Sequence, residues 1–286
     1  MEGAVTRPHV VALRCRTCER SPAPMHGAEA LARALASRLG VEPRLIGSVD
    51  EDASPRDYTD DLQSSRGCLL EAGGQVDDAL TDGRLPVLTA GQCSIALTTL
   101  PTVARHRPDA KVLWLDAHGD FNTPQTTESG YLSGMALAGA CGLWETGFEG
   151  VMAPDRVVMC GVRELDRGER ELLERSPVTV IGPRLETLVD LQNALDGAPT
   201  YVHVDLDVLD PEAFHAVDYP VPGGLPVDRL FDLLDAVADA CEVVGIEITH
   251  FDAPADPLET ERFAALASRP ITPLLFVASE AADGID

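Results

Sequence analysis

The chain has 286 residues, of which 45% are hydrophobic and 24% charged, as expected for a globular protein with a sizeable core. Its 47 acidic and 22 basic residues give a formal net charge of −25, which would repel nucleic acids and anionic membranes, so we exclude both as partners. No apolar signal segment opens the chain, and no window approaches the roughly 20 apolar residues of a membrane span, so we expect a cytoplasmic protein.

Short apolar runs alternate with segments of helical periodicity along the chain. Strands that are apolar throughout are buried on both faces, as in a parallel sheet covered by helices. The pattern predicts an α/β fold, with one three-layer domain over residues 1–286 built on a mostly parallel eight-stranded sheet with helices on both faces. The predicted strands are at 9–15, 43–47, 85–90, 110–116, 156–162, 178–182, 200–206 and 242–249. The predicted helices are at 28–39, 94–105, 168–175, 187–195 and 227–240.

Seven cysteines, at positions 15, 18, 68, 93, 141, 160 and 241, show no spacing typical of a disulfide framework. We therefore expect reduced thiols. The C-x-x-C formed by Cys15 and Cys18 has no partner pair for a zinc site, and we interpret it as incidental. Two connections, 117–132 and 209–225, are too long for simple turns, and α/β proteins bind their ligands in such loops after strand ends.

Acidic residues at alternate positions follow two of the predicted strands. Asp116, His118 and Asp120 lie in "WLDAHGDFN", and Asp205 and Asp207 lie in "YVHVDLDVLDP". Alternate positions in extended backbone point the same way, and a buried carboxylate is costly unless it is paired or bound to a cation. One such run alone would be an ordinary turn or cap. Two runs predict a binuclear site, and carboxylates with one imidazole suit Mn²⁺ better than Zn²⁺ or Ca²⁺.

From about residue 85 to residue 255, the sequence resembles the arginase/agmatinase (ureohydrolase) family. Three segments carry the resemblance by matching the family's signatures in order: "AGQCS" (90–94), "DAHGD" (116–120) and "VHVDLD" (202–207). The resemblance implies an arginase-like fold with two Mn²⁺ ions at the C-terminal edge of the sheet. It also implies a small guanidino compound as the substrate and a homo-oligomeric assembly.

The resemblance assigns metal ligands position by position, with Asp116 and Asp205 bridging the two ions. The six implied ligands are Cys93, Asp116, His118, Asp120, Asp205 and Asp207. His203, on the same strand face as Asp205, is interpreted as a neighbour of the ligands or a satisfied core residue. Cys93 is interpreted as a ligand rather than a nucleophile, because a nucleophilic thiol needs a positioned base and His118 is committed to metal.

Other segments resemble the parts of arginases that hold the substrate. "FNTPQTTESG" (121–130) resembles the loop that binds an α-carboxylate, and "GVRELDRGE" (161–169) resembles the segment that binds an α-amino group. The resemblance implies hydrolysis of a guanidino C–N bond, in which Asp120 relays a proton and Glu247 faces the guanidinium. For Asn122 and Ser129 the alternative is ordinary turn chemistry. The implied substrate-binding residues are Asn122, Thr127, Ser129, Tyr131, Ser133, Asp166 and Glu169.

Three positions depart from the arginase pattern. Cys93 replaces a family histidine, Tyr131 replaces an asparagine, and Ser133 stands where arginases keep a proton-shuttling histidine. Serine does not exchange a proton at neutral pH, which favours a substrate with a less basic guanidine. The pattern resembles the family members that hydrolyse Nω-hydroxy-L-arginine to hydroxyurea and L-ornithine in antibiotic biosynthesis. An ordinary arginase or agmatinase, or an inactive metal-binding homologue, remains the alternative.

Overall fold

A computed structural model describes residues 7–182 and 187–276. The predicted domain over 1–286 therefore includes residues 1–6, 183–186 and 277–286, which lie outside the described part. Within it, eight strands form one sheet: β1 (Pro8–Leu13), β2 (Arg44–Ile46), β3 (Leu85–Ala90), β4 (Lys111–Leu115), β5 (Val157–Cys160), β6 (Thr179–Ile181), β7 (Thr200–Asp205) and β8 (Val243–Thr249). Their order is β2-β1-β3-β8-β7-β4-β5-β6, and the paired strands are parallel. The predicted strands and parallel sheet are confirmed.

Helices connect the strands. Among the described residues they are α1 (Ala23–Leu39), α2 (Tyr58–Thr81), α3 (Ala96–His106), α4 (Ala136–Ala140), α5 (Arg167–Leu173), α6 (Thr187–Leu195), α7 (Val227–Ala240) and α8 (Pro257–Phe276). The five predicted helices are confirmed, although α1 begins five residues earlier than predicted. None of these helices, in the part of the chain that is described, is long and apolar enough to cross a membrane.

Helices α2 and α8 were not predicted, and their sequences explain why. Glycines such as Gly73 and Gly74 weaken the apolar periodicity of α2, which begins where the Asp57 carboxylate accepts hydrogen bonds from the backbone N–H groups of Thr59 and Asp60. Two prolines lie inside α8, at positions where proline normally interrupts a helix. Tertiary packing outweighs local propensity in both helices.

Two hydrophobic clusters cover the two faces of the sheet. One contains buried residues of α1, α6, α7 and α8, and the other contains buried residues of α2, α3, α4 and α5. Side chains of one strand alternate between them: Val202 and Val204 of β7 pack in the first cluster, whereas Tyr201 packs in the second. This arrangement has three layers, as predicted.

The expectation of seven reduced cysteines is wrong for two of them. Cys15, two residues after the end of β1, forms a disulfide with Cys68 of α2, across 53 positions of sequence. Cys15 therefore does not pair with Cys18, which is a free and buried thiol. The long separation hides the pairing in the sequence, because only the packing of α2 against this end of β1 brings the two sulfur atoms together.

The sheet brings the ends of its four central strands, β3, β8, β7 and β4, to one edge. Cys93 lies three residues after β3, Asp116 directly after β4, and His250 directly after β8, and Asp205 is the last residue of β7. Parallel strands end on the same side, so residues far apart in sequence converge here.

Candidate metal centre and substrate cavity

Four aspartates lie buried at this edge of the sheet, each at most 6% exposed: Asp116, Asp120, Asp205 and Asp207. Backbone N–H groups orient three of them. Asp116 accepts a hydrogen bond from the N–H of His118 at 2.6 Å, Asp205 from that of Asp207 at 2.8 Å, and Asp207 from that of Ala117 at 3.0 Å. The two D-x-[DH] runs thus turn their carboxylates toward one place, as the alternation predicted.

Three groups of possible metal ligands have donor atoms within 4.8 Å of one another. Asp116, Asp205 and Asp207 each belong to two of these groups, so three aspartates are shared where the sequence predicts two bridging residues. The groups are Cys93, Asp116, His203 and Asp205; Asp116, His118 and Asp207; and Asp205, Asp207 and His250. Five of the six predicted ligands therefore come together. Asp120, the sixth, lines the neighbouring cavity instead of joining a group.

The electrostatics of the cluster fit divalent cations. Burial, together with the neighbouring carboxylates, raises the pKa of Asp116 and Asp120 well above the usual range. Asp120 Oδ2 is buried without a hydrogen-bond partner among the described residues, and its backbone has a left-handed φ of 47°. Strained backbone and unpaired polar atoms concentrate at functional sites. Carboxylate oxygens with imidazole nitrogens are ligands that suit Mn²⁺, and Cys93 adds one softer sulfur donor to this set.

His250 belongs to the site and was missed by the sequence analysis. Its Nδ1 contacts Asp205 Oδ2, and its Nε2 lies 2.6 Å from Gln92 Oε1. Burial alone would raise the pKa of Asp205, but the charge of His250 outweighs it and holds this pKa below its usual range. The φ of His250 is +59°, the second left-handed residue at the site. A histidine directly after a buried strand was the signal that could have identified it.

Glu247 does not face the cavity, so its predicted contact with a guanidinium is wrong. Its carboxylate accepts hydrogen bonds from Thr99 Oγ1 at 2.7 Å and Tyr201 OH at 2.9 Å, and lies 2.7 Å from His203 Nδ1. Strand pairing sets His203 of β7 directly beside Glu247 of β8. The Glu247 carboxylate therefore points into the layer between the sheet and α3, where Thr99 lies. Glu247, His203 and Tyr201 are fully buried.

Cys93 contacts several polar groups at the centre of the site. Its Sγ lies 2.9 Å from Asp205 Oδ2, 3.0 Å from Thr249 Oγ1 and 3.2 Å from His203 Nε2. A base is therefore available to this thiol, contrary to the prediction, because β7 places His203 beside it. What excludes nucleophilic attack is access: Cys93 is fully buried, and burial raises the pKa of its thiol well above the ordinary value.

A cavity of about 390 Å³ opens beside the carboxylate cluster. Thr127 is the predicted substrate-binding residue that is not among the described residues lining this cavity. Its Oγ1 accepts a hydrogen bond from the N–H of Gly130 at 3.0 Å. Thr127 thus shapes the loop, which corrects its predicted role. The lining residues are Arg20, His118, Asp120, Asn122, Glu128, Ser129, Tyr131, Ser133, Gly134, Glu164, Asp166, Glu169, Tyr219 and His250.

Hydrogen bonds join the two loops that form the cavity wall. Asn122 Nδ2 donates to Asp166 Oδ2 at 3.0 Å, and the buried Glu169 accepts from the N–H groups of Phe121 and Asp166 at 2.8 and 3.2 Å. Burial raises the pKa of Glu169 to about 7. A Cβ at Gly119 would lie 2.4 Å from Glu169 Oε1, so the close approach of the loops requires glycine there. Glu169 fixes the wall from which Asp166 and Asn122 present polar atoms.

Comparisons with known proteins identify relatives along most of the chain. The family model described as the arginase family matches residues 16–272. An N(omega)-hydroxy-L-arginine amidinohydrolase of Streptomyces lavendulae is 38% identical over 258 residues, which cover 90% of this chain and 93% of that protein. An arginase of Bacillus caldovelox is 32% identical over 67% of this chain and 69% of its own length. A solved structure of arginase from Bacillus caldovelox superposes with a TM-score of 0.82 at 25% identity, covering 94% of this chain and 98% of that one.

Proposed function

This chain belongs to the arginase family of hydrolases that act on amidino C–N bonds, and we propose that its substrate is Nω-hydroxy-L-arginine. The products would be hydroxyurea and L-ornithine. The observation that carries the proposal is the buried carboxylate cluster beside a 390 Å³ cavity whose wall offers groups for an amino acid. The 38% identity to an amidinohydrolase named for this substrate supports the same choice.

The cavity wall supports a hydroxylated guanidine over arginine itself. Ser133 lines the cavity, and its Oγ accepts a hydrogen bond from the N–H of Cys93 at 3.1 Å. Serine supplies no proton at neutral pH. The amine that leaves is the δ-amino group of ornithine with either substrate, but an N-hydroxyguanidine is less basic than a guanidine, so more of it is uncharged at neutral pH and fewer protons have to be moved during its hydrolysis. An ordinary arginase is the alternative that the experiment below distinguishes.

The family is metal-dependent, and we propose that this chain binds two Mn²⁺ ions. The residues that would hold them are Cys93, Asp116, His118, Asp205, Asp207 and His250, with Asp120 beside them. When bound, the metal ions supply Lewis acidity that makes a nucleophile from water at neutral pH. The participation of His250 is an addition to the ligand set that the sequence suggested.

The other residues of the site bind and orient the substrate. Asp120, whose Oδ2 has no protein partner in the described part of the chain, is the group that would hold the proton for the departing amine. Asp166 lies on the loop after β5, where its carboxylate would meet the α-amino group of the substrate, and Asn122, on the loop that also carries Asp120, donates a hydrogen bond to that carboxylate. This arrangement fixes both ends of the molecule and leaves its reacting carbon beside the carboxylate cluster.

The test of the proposed function is a substrate panel with the Mn²⁺-loaded protein. L-arginine, Nω-hydroxy-L-arginine, agmatine and formiminoglutamate would be assayed at equal concentration by the product of each hydrolysis. We expect the highest kcat/KM with Nω-hydroxy-L-arginine. A higher kcat/KM with L-arginine would make the protein an ordinary arginase. No hydrolysis of any of the four by protein with a measured metal content would instead favour the inactive metal-binding homologue.

Asp166→Asn is expected to raise KM for the amino-acid substrate about ten- to a hundredfold and to leave kcat nearly unchanged. The α-amino group would lose a charged hydrogen bond that lies far from the reacting carbon, and such bonds contribute roughly 1.5–3 kcal/mol. Asparagine is also a good N-cap, so α5 is preserved. Steady-state kinetics provide the measurement. Glu164→Gln, which removes the same charge from the same cavity, is the control, and an equal rise of KM in both variants would argue against a specific contact.

Three further statements stay predictions from the sequence: a role in antibiotic biosynthesis, a homo-oligomeric state and a cytoplasmic location. The Cys15–Cys68 disulfide bears on the location, because structural disulfides are rare in a reducing compartment. Thiol titration of denatured protein prepared from the cytoplasm, with rapid alkylation, would show whether this bond forms there.

A further inference from the structure

The wall of the cavity is strongly acidic. Among the described residues that line it, Arg20 is the only arginine or lysine. Five lining residues carry carboxyl groups: Asp120, Glu128, Glu164, Asp166 and Glu169. An amino-acid substrate must bring its own carboxylate into this field, where like charges disfavour binding. A positive side chain at one point of the wall therefore determines where that carboxylate can be accommodated.

The Arg20 guanidinium lies in the cavity wall and is free to bind a ligand. Its guanidinium makes no hydrogen bond or ion pair within residues 7–182 and 187–276, and its Cζ lies 4.5 Å from the centroid of the Tyr131 ring. Tyr131 is only 8% exposed, and its hydroxyl is buried without a hydrogen-bond partner in the same residues. The Tyr131 ring therefore holds the guanidinium at the cavity wall, while its own hydroxyl is buried away from a ligand in the cavity.

The turn that carries Arg20 is held firmly. The Glu19 carboxylate, fully buried, accepts a hydrogen bond from the N–H of Cys18 at 3.0 Å. The Cys15–Cys68 disulfide attaches the same turn to α2. Stacking on Tyr131 further restricts the guanidinium, so less conformational entropy is lost when a ligand binds.

We infer that Arg20 binds the carboxylate of the substrate, and that this contact selects amino acids over decarboxylated guanidines. The inference rests on the proposed function and adds a selectivity residue to it. A guanidinium matches a carboxylate with two parallel hydrogen bonds, which a lysine cannot reproduce. With Asp166 at the α-amino group and Arg20 at the carboxylate, the cavity recognises both charges of an amino acid.

The test compares an amino-acid substrate with its decarboxylated counterpart. Nω-hydroxy-L-arginine and N-hydroxyagmatine would be assayed with wild type, Arg20→Ala and Arg20→Lys. In Arg20→Ala we expect kcat/KM to fall about ten- to a hundredfold for the amino acid, mainly through KM, and little for N-hydroxyagmatine. Arg20→Lys should recover only part of the loss. Arg167→Ala is the control, because Arg167 is 88% exposed and is not among the described residues that line the cavity. It should leave kcat/KM unchanged for both substrates.

A direct measurement of ligand binding tests the role of Arg20 independently of the proposed function, because it does not depend on which guanidine is hydrolysed. The affinities of L-ornithine and of 1,4-diaminobutane for the Mn²⁺-loaded protein would be measured by calorimetry, which needs no turnover. Weaker binding of L-ornithine alone in Arg20→Ala supports the carboxylate contact whichever guanidine is hydrolysed. Equal ornithine affinity in wild type and Arg20→Ala, or an equal loss for both ligands, would overturn it.

Discussion

Asp116→Asn is expected to abolish tight binding of both metal ions and to lower kcat by several orders of magnitude. Asp116 belongs to two of the three ligand groups, one with Cys93 and one with His118, so a single substitution weakens both positions. An amide has no charge and only one oxygen to offer to a cation. Metal content after Mn²⁺ incubation and gel filtration, measured by plasma mass spectrometry, is the direct readout.

The fold should survive this substitution. Burial and the neighbouring aspartates raise the pKa of Asp116, so loss of its charge relieves repulsion in the metal-free protein. One of its two donors, Trp114 Nε1 or the N–H of His118, loses an acceptor, which costs roughly 1–3 kcal/mol. Asp235→Asn on the exposed face of α7 is the matched control. An Asp116→Asn protein that retains two Mn²⁺ ions would refute its assignment as a shared ligand.

Glu247→Ala is expected to lower the free energy of unfolding by about 3–5 kcal/mol, as for other broken buried polar networks. The alanine would leave Thr99, Tyr201 and His203 without their common acceptor in a fully packed interior. Urea unfolding followed by circular dichroism would measure the loss. Glu261→Ala, on the exposed surface of α8, should change the unfolding free energy by less than about 0.5 kcal/mol.

A second variant, Glu247→Gln, distinguishes the two roles considered for Glu247. If the carboxylate contacted the guanidinium, as the sequence suggested, Glu247→Gln would raise KM and leave stability almost unchanged. The structure predicts the reverse: the amide cannot accept all three hydrogen bonds, so stability falls while KM of the folded protein stays near the wild-type value. A large rise of KM with unchanged urea midpoint would restore the original role.

The sequence by itself determined the fold class and identified most residues of the candidate metal-ligand groups. Continuous apolar runs identify strands that are buried on both faces, and all eight lie where they were predicted. Asp116 and His118, and Asp205 and Asp207, lie two positions apart at strand ends, a spacing that is visible in the sequence, although Asp207 lies in the 3-10 turn Leu206–Val208 rather than in extended backbone. These features depend on residues two or three positions apart. Over that range, a sequence pattern specifies the direction in which the side chains point.

Only the tertiary structure decided the roles of Glu247, His250 and Arg20. Glu247 lies within β8, His250 directly after it, and Arg20 in the connection between β1 and α1, and their chemistry alone suits a catalytic site. The register of β7 against β8 pairs Glu247 with His203 inside the packed layers, and three residues later it releases His250 into the cavity. Arg20 reaches the same cavity because its turn packs beside Tyr131. Register and packing depend on contacts across tens to hundreds of positions, and no local pattern encodes them.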